Sequence, residues 1–331
     1  MPDINRPRYV NRWGFKGSPQ PFAAKRVTSS CFVLEGTLSH LEDLCHRYFA
    51  EPTGGHVHYR PLTHYVVLTF NQMESVICED APYSRTGSGC ETEVAFWVLT
   101  AAVERMAGIS VAQRLAWFVP YIFVDNSPNL IAGREVYGFP KEIGWFELPA
   151  NPGHAARFGV EATVTKRFGP HARAERAQLL GINRTGGAGR RTAERWSSLE
   201  AAAGHVRRAL FNAANWMIPG VHFLDELASD FIHQQAPLVF LKQVYDIADG
   251  EFASFQSVVE ADFRVTAFRG GASLGGTYVV DLPHFDSHPI GRDLGLPVRQ
   301  QAAMSYWLDF DFVIENGRTI WTAEQPVPQD A

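Results

Sequence analysis

Short apolar runs broken by Gly, Asp and Asn recur along most of this chain, and sustained helical periodicity is scarce. Residues 27–34 alternate loosely and predict a strand. Leu38, Leu41, Leu44 and Cys45 then recur at helical spacing, and Thr37 or Ser39 can cap that short helix. The run Y-V-V-L-T-F at 65–70 is β in character. Residues 94–102 and 117–124 continue the pattern, separated by a polar turn or short helix near 104–112. Further strands are predicted at 162–165, 238–245, 257–268, 277–282 and 306–315, with turns at A-D-G (248–250) and E-N-G (315–317). So many β segments with so few long helices predict a mainly β fold: a large antiparallel sheet system that closes into a barrel or cone, with peripheral helices.

Two stretches break the pattern. Residues 1–22 are rich in Pro, Gly and Arg, with Trp13 and Phe15 as anchors, and read as an irregular arm over the body or a neighbouring subunit. Residues 167–195 are dense in Arg, Gly and Ala, including G-I-N-R-T-G-G-A-G-R-R at 181–191, and read as a solvated surface insertion rather than an anion site. Residues 197–215 then turn helical, with Leu199, Ala203, Val206, Leu210 and Ala214 on one face. The expected organisation is an arm over 1–22 and a single domain over 23–331, interrupted by an insertion at about 167–235.

Composition changes this picture little. The 331 residues are 46% hydrophobic and 20% charged with net charge −5, which suits a soluble globular protein and gives no reason to expect nucleic acid or an anionic membrane as partner. No apolar run is long enough for a membrane span, and the N-terminus lacks a signal core, so a cytoplasmic location is expected. Cys31, Cys45, Cys78 and Cys90 show neither metal-site nor disulfide-framework spacing and are expected to be buried free thiols. His56 and His58 form H-V-H without an evident third ligand, so no metal is expected. The run G-G-A-S-L-G-G at 270–276 lacks the G-K-S/T of a phosphate loop and reads as a hairpin loop.

The chemistry concentrates in N-L-I-A-G-R-E-V-Y-G-F-P-K-E-I-G-W-F-E at 129–147. Lys141 follows Pro140 amid Val136, Tyr137, Phe139, Ile143, Trp145 and Phe146. An ammonium desolvated by such neighbours loses pKa, and a neutral amine is a nucleophile toward carbonyl carbon. The competing reading is a lysine that extends its head to water. Upstream, G-S-G-C-E-T-E at 87–93 enters the strand V-A-F-W-V-L, so Glu93 is either a rim charge or a buried group with a task. Glu91 is offset by two, shares its strand face and competes for the same role.

The segment V-D-N-S-P-N-L-I-A-G-R-E-V-Y-G-F-P-K at 124–141 resembles the signature of the acetoacetate decarboxylase family, in which the aromatic-Pro-Lys motif carries a Schiff-base lysine. The G-x-G-C-x-T-E segment is similar too, and the resemblance extends in pattern over most of the chain, through 237–242 and 283–285. It implies Lys141 and Glu93 as catalytic residues, with Tyr137 and Phe139 against the substrate. Arg134 and Glu135 would form a structural ion pair beside the lysine loop. It also implies no cofactor, a small-molecule keto acid or other carbonyl substrate, and a homo-oligomer. The expected activity is decarboxylation of a β-keto acid through an imine; the alternatives are an aldolase or aldolase-dehydratase on a larger oxo-acid, or a non-catalytic binder of an apolar ligand. Two positions depart from the family. Its substrate-holding arginine has Arg26 as the nearest counterpart, one residue out of register, so a bulge would be needed to aim it inward. The second of its paired lysines is Glu142 here. Strand alternation should turn Glu142 away and leave burial to lower Lys141.

Overall fold

The computed structural model describes residues 9–10, 20–106, 109–151, 156–186, 194–210 and 237–323. Trp13 and Phe15 of the expected arm, and residues 211–236 of the expected insertion, lie outside them. The chain opens with β1 (Phe22–Glu35), α1 (Leu38–Cys45) and three long strands, β2 (Tyr59–Cys78), β3 (Gly89–Met106) and β4 (Ile109–Val124). A short helix, α2 (Ser127–Ala132), leads to β5 (Lys141–Glu147), β6 (Arg157–Val164), β7 (Glu175–Thr185) and β8 (Arg195–Trp196). After α3 (Leu199–Leu210) come β9 (Leu238–Tyr245), β10 (Ala253–Ala261), β11 (Phe263–Ser273) and β12 (Thr277–Asp281). Then α4 (Ile290–Leu294), β13 (Arg299–Gln301), β14 (Met304–Ile314) and β15 (Arg318–Thr322) complete the described chain.

The strands form one sheet in the order β13-β12-β7-β6-β5-β4-β3-β2-β1-β14-β11-β8, with β9, β10 and β15 branching from β4. The fold is mainly β as expected, but among the described residues the sheet does not close into a barrel, and it is mixed. β4 pairs in parallel with β9 at Trp117 and Phe118, and further along with β5 at Ile122, Phe123 and Val124. That second pairing brings the lysine segment into the sheet two strands from β3.

Three local expectations are corrected. Residues 104–106 and 109–112 continue β3 and β4 as paired strands rather than forming a polar turn or short helix, because Glu104 still pairs with Val111. Residues 175–185, expected within a surface loop, form β7, which buries Leu179, Leu180 and Ile182 between β6 and β12. The charge density of this stretch concealed its apolar positions; Arg176 is exposed, whereas Arg184 lies beside the buried Tyr278. Finally, 270–276 is not a hairpin: β11 pairs with β14 and β8, whereas β12 crosses to β7 and β13. The helix at 38–45 forms as expected, although Thr37 donates its hydroxyl to the Gly295 carbonyl (3.1 Å) instead of capping it.

One core cluster packs Phe32 edge-on against Phe70 and Phe158, with ring centroids 6.0 and 5.0 Å apart. A second gathers Phe22, Val27, Tyr137, Phe139, Phe240 and Phe312 around the lysine segment. Each buried aromatic contributes about 1.5–3 kcal/mol, so the second cluster is strong enough to fix the strands that frame Lys141. Among the described residues no helix is long and apolar enough to cross a membrane.

The lysine segment itself docks through Gly138, at φ 93°, where an added Cβ would lie 2.7 Å from both Cα and Cβ of Lys242. Gly138→Ala combines left-handed backbone strain with a backbone clash. It is expected to cost about 2 kcal/mol or more, read as a lowered urea midpoint with unchanged slope; an unaltered midpoint would contradict this packing.

Candidate active site

Asn126 starts α2, its side-chain oxygen accepting from the Asn129 N–H at 3.0 Å, with Pro128 in the first turn where its missing N–H costs nothing. The helix widens into a π-helical turn at Gly133–Tyr137 and stops at Gly138. Pro140 then delivers Lys141 as the first residue of β5, opposite Ile122 of β4. Arg134 fixes the backbone by donating to the Lys141 carbonyl (3.2 Å). The lysine stem runs across Gly133, where an added Cβ would sit 2.7 Å from Lys141 Cδ and 2.9 Å from Cε. The glycine of G-R-E is therefore the floor over which the lysine stem extends.

Two carboxylates meet the ammonium. Lys141 Nζ donates to Glu91 Oε1 at 2.7 Å and lies 3.7 Å from Glu93 Oε2. The side chains of Lys141, Glu91 and Glu93 are 4%, 0% and 10% exposed, so all three are interior. Alternation along β3 puts both glutamates on one face. Asn71, directly across on β2, donates to Glu93 Oε1 (2.9 Å) and is itself held by the Ser29 hydroxyl (2.6 Å). The Phe22 and Phe139 rings lie 5.9 and 5.6 Å from Nζ.

This arrangement reverses the expected electrostatics of the lysine. Burial pulls its pKa down, but the charges of Glu91 and Glu93 more than offset that, and the ammonium is held above its ordinary value. The consequence falls on Glu93. Burial pushes its carboxyl up to about 7, against the pull of Lys141 and the Asn71 hydrogen bond and with help from Glu91. One carboxyl of the pair thus changes its protonation state near neutrality.

Nζ faces a cavity of about 200 Å³, walled by Phe22, Trp97, Tyr137, Phe139, Phe310 and Phe312 among others. Among its described lining residues Lys141 is the one cation. Cys31 also lines it, but burial pushes that thiol up to about 11, so it is a poor nucleophile.

The other expected site residues divide. Tyr137 and Phe139 line the cavity, and the Tyr137 hydroxyl is anchored on the Ile314 and Glu315 carbonyls (3.0 and 3.1 Å). Arg26 does not reach the cavity: a bulge between Ala24 and Val27 exists, but it places Arg26 at φ 51° with a 75% exposed side chain near Glu74. Its N–H is bonded to Asp311, so the bulge turns the residue out rather than in. Arg134 and Glu135 form no ion pair with each other; Glu135 instead accepts from Tyr9 at 3.0 Å. Glu142 points outward as alternation requires, 47% exposed and bonded to the buried His288 at 2.9 Å. His56 and His58 are exposed, and the described residues hold no cluster of three metal-ligating side chains. Cys31, Cys45 and Cys78 are buried free thiols, whereas Cys90 is exposed. The sequence reading missed Asn71 and the aromatic wall from β14. A lone Asn ending the apolar run of β2 was the available signal for the first; nothing local marks the second.

No family model and no curated protein matches the chain. Solved structures do share the fold. An acetoacetate decarboxylase from Legionella pneumophila superposes with TM-score 0.56 at 13% identity, covering 96% of this chain and 93% of that one. A second acetoacetate decarboxylase gives 0.53 at 14% identity, covering 92% and 91%. The enduracididine biosynthesis enzyme MppR, complexed with the condensation product of pyruvate and imidazole 4-carboxaldehyde, gives 0.53 at 13% identity, covering 91% and 90%.

Gly133→Ala separates site from scaffold. The clash falls on a flexible lysine stem, so the fold should survive with a melting temperature within a few degrees of wild type while Nζ leaves the carboxylates. Reaction of Lys141 with a carbonyl probe is expected to slow at least tenfold; an unchanged rate would show that the stem does not need this glycine.

Proposed function

We propose that this protein is an imine-forming lyase of the acetoacetate decarboxylase-like type, with Lys141 as nucleophile toward a ketone or aldehyde. The supporting observation is the buried triad: an ammonium with one carboxylate at 2.7 Å and a second, titrating near 7, at 3.7 Å. Ionised Glu93 takes one proton from the ammonium, and the freed amine adds to the carbonyl carbon. Glu93 returns that proton to the oxygen, which leaves as water with the second proton from nitrogen. The product is a protonated imine, and Glu93 ends as it began. The iminium cation replaces the ammonium beside Glu91, so the charge of the site is conserved through the step. It then accepts the electron pair of a bond breaking at the adjacent carbon.

The same charges rank the bonds that could break. A β-carboxylate leaving as carbon dioxide would enter as a third anion beside Glu91 and Glu93, with no further cation among the described lining residues to hold it. Aldol-type chemistry carries no such burden: ionised Glu93 takes an α-proton from the iminium to give an enamine, the enamine attacks an aldehyde carbon, and the Glu93 protonated in that way returns its proton to the new alkoxide. We therefore place carbon–carbon bond formation or its reverse first. Decarboxylation is the second reading, supported by the apolar walls that would desolvate a bound carboxylate.

Borohydride reduction in the presence of a panel of aldehydes, methyl ketones and keto acids tests the imine. A reduced adduct is expected on Lys141 by peptide mass mapping. Its rate of formation should rise as pH passes through about 7, where Glu93 becomes the base, and Glu93→Gln should remove that rise. An adduct on another lysine, or none with any carbonyl compound the protein turns over, would overturn the proposal.

A further inference from the structure

The cavity at Lys141 does not end at its own aromatic walls. A second cavity of about 190 Å³ shares Trp117, Val206, Phe263, Tyr306, Leu308 and Phe310 with it. It continues beneath α3, where Leu199, Ala202 and Ala203 form its far side against Val265 and Phe268 of β11. The two are therefore consecutive chambers, one reactive and one with no ionisable side chain other than the Tyr306 phenol among its described lining residues. Burial holds that phenol well above its ordinary value, so it is neutral.

Resting on the imine reading, we infer that the substrate is an uncharged, elongated carbonyl compound whose alkyl or aryl tail occupies the chamber under α3. Three observations converge on this class. Arg26, the expected carboxylate holder, stands on the surface. The charge of Lys141 is already matched by Glu91 and Glu93, so an anionic substrate finds no unmatched cation. And the space beyond the reactive chamber is walled, apart from the neutral Tyr306 phenol, by Trp, Phe, Leu, Val and Ala, which gain from apolar burial and offer no charge to pair with an anion. A short keto acid would leave that second chamber unfilled.

Secondary alcohols test the chamber separately from the chemistry, because they cannot form an imine. Dissociation constants for 2-butanol, 2-hexanol, 2-octanol and 2-decanol would be measured by tryptophan fluorescence and calorimetry on the wild-type protein. They are expected to tighten about fourfold per methylene until the second chamber is full. Carboxylates of matched length should bind at least tenfold more weakly. Ala203→Trp should abolish the gain for the longer alcohols and spare 2-butanol, and Leu199→Trp at the chamber's edge provides an independent obstruction should the first variant fold poorly. A flat chain-length series, indifference to both substitutions, or carboxylates binding as tightly as alcohols would overturn the inference. The two readings fail separately: an alcohol series that behaves as expected, with no borohydride adduct from the matching 2-alkanones, would sink the imine and leave the tail chamber standing.

Discussion

The ammonium of Lys141 and the carboxylates of Glu91 and Glu93 share one small volume of protein interior, and much of the fold serves to keep them there. An isolated charge at that depth costs several kcal/mol, and its partners must offset that through close geometry. The geometry comes from pairing. β2 sets Asn71 across from Glu93, β3 presents both glutamates on one face, and β4 accepts β5 in parallel so that Lys141 arrives two strands away. Gly133 leaves the lysine stem room to cross, and Gly138 lets its segment dock on β9. The aromatic cluster around them excludes water and makes each of these charge interactions stronger than it would be at a surface.

The triad holds three ionisable groups with room for only one comfortable charge balance. An ammonium beside a single carboxylate is neutral; a second carboxylate makes the interior anionic, and Glu93, raised first by burial and then by the charge of Glu91, keeps its proton to about pH 7. Its folded-state pKa is raised above the unfolded value, so its contribution to stability is complete below the usual carboxylate range near 4.5 and is lost as pH rises through about 7. The ionised state that this destabilises is the one able to take a proton from Lys141. Reactivity and stability are thus set against each other at one side chain, as is common where ionisable groups are buried for chemistry. In the proposed imine chemistry, the same uncompensated negative charge would decide which substrate enters and hence whether a carboxylate or another carbon substituent leaves.

Much of this was legible in the sequence because the informative signals were local. The F-P-K run, the apolar and aromatic residues around it, and the two glutamates at strand spacing are read within a few residues, and the structure brings Lys141, Glu91, Glu93, Tyr137 and Phe139 together. The choice between Glu91 and Glu93 was not legible, since a two-residue offset puts both on one face; the structure shows that the site uses both positions differently, Glu91 as the closer partner and Glu93 on the cavity wall. The direction of the Lys141 shift was misjudged because composition reveals burial but not which charges arrive from other strands. Arg26 was misplaced because a bulge can aim a residue either way, and its direction is decided by the Asp311 acceptor on a strand 285 residues distant. β7 was hidden by its arginines, and the open, mixed sheet by the fact that parallel pairing of β4 with β5 and β9 leaves no turn signal between partners.

Glu93 titrates near neutrality because burial raises its carboxyl and Glu91, sharing the same ammonium, adds to the rise. The most direct measurement is a carbon-13 NMR titration of side-chain carboxyls in protein labelled at glutamate Cδ, from pH 4 to pH 9. The account expects one glutamate with a midpoint near 7, absent in Glu93→Gln and shifted downward in Glu91→Gln, where the neighbouring negative charge is gone. A spectrum in which every glutamate titrates below about 5, the ordinary carboxylate range, would contradict it.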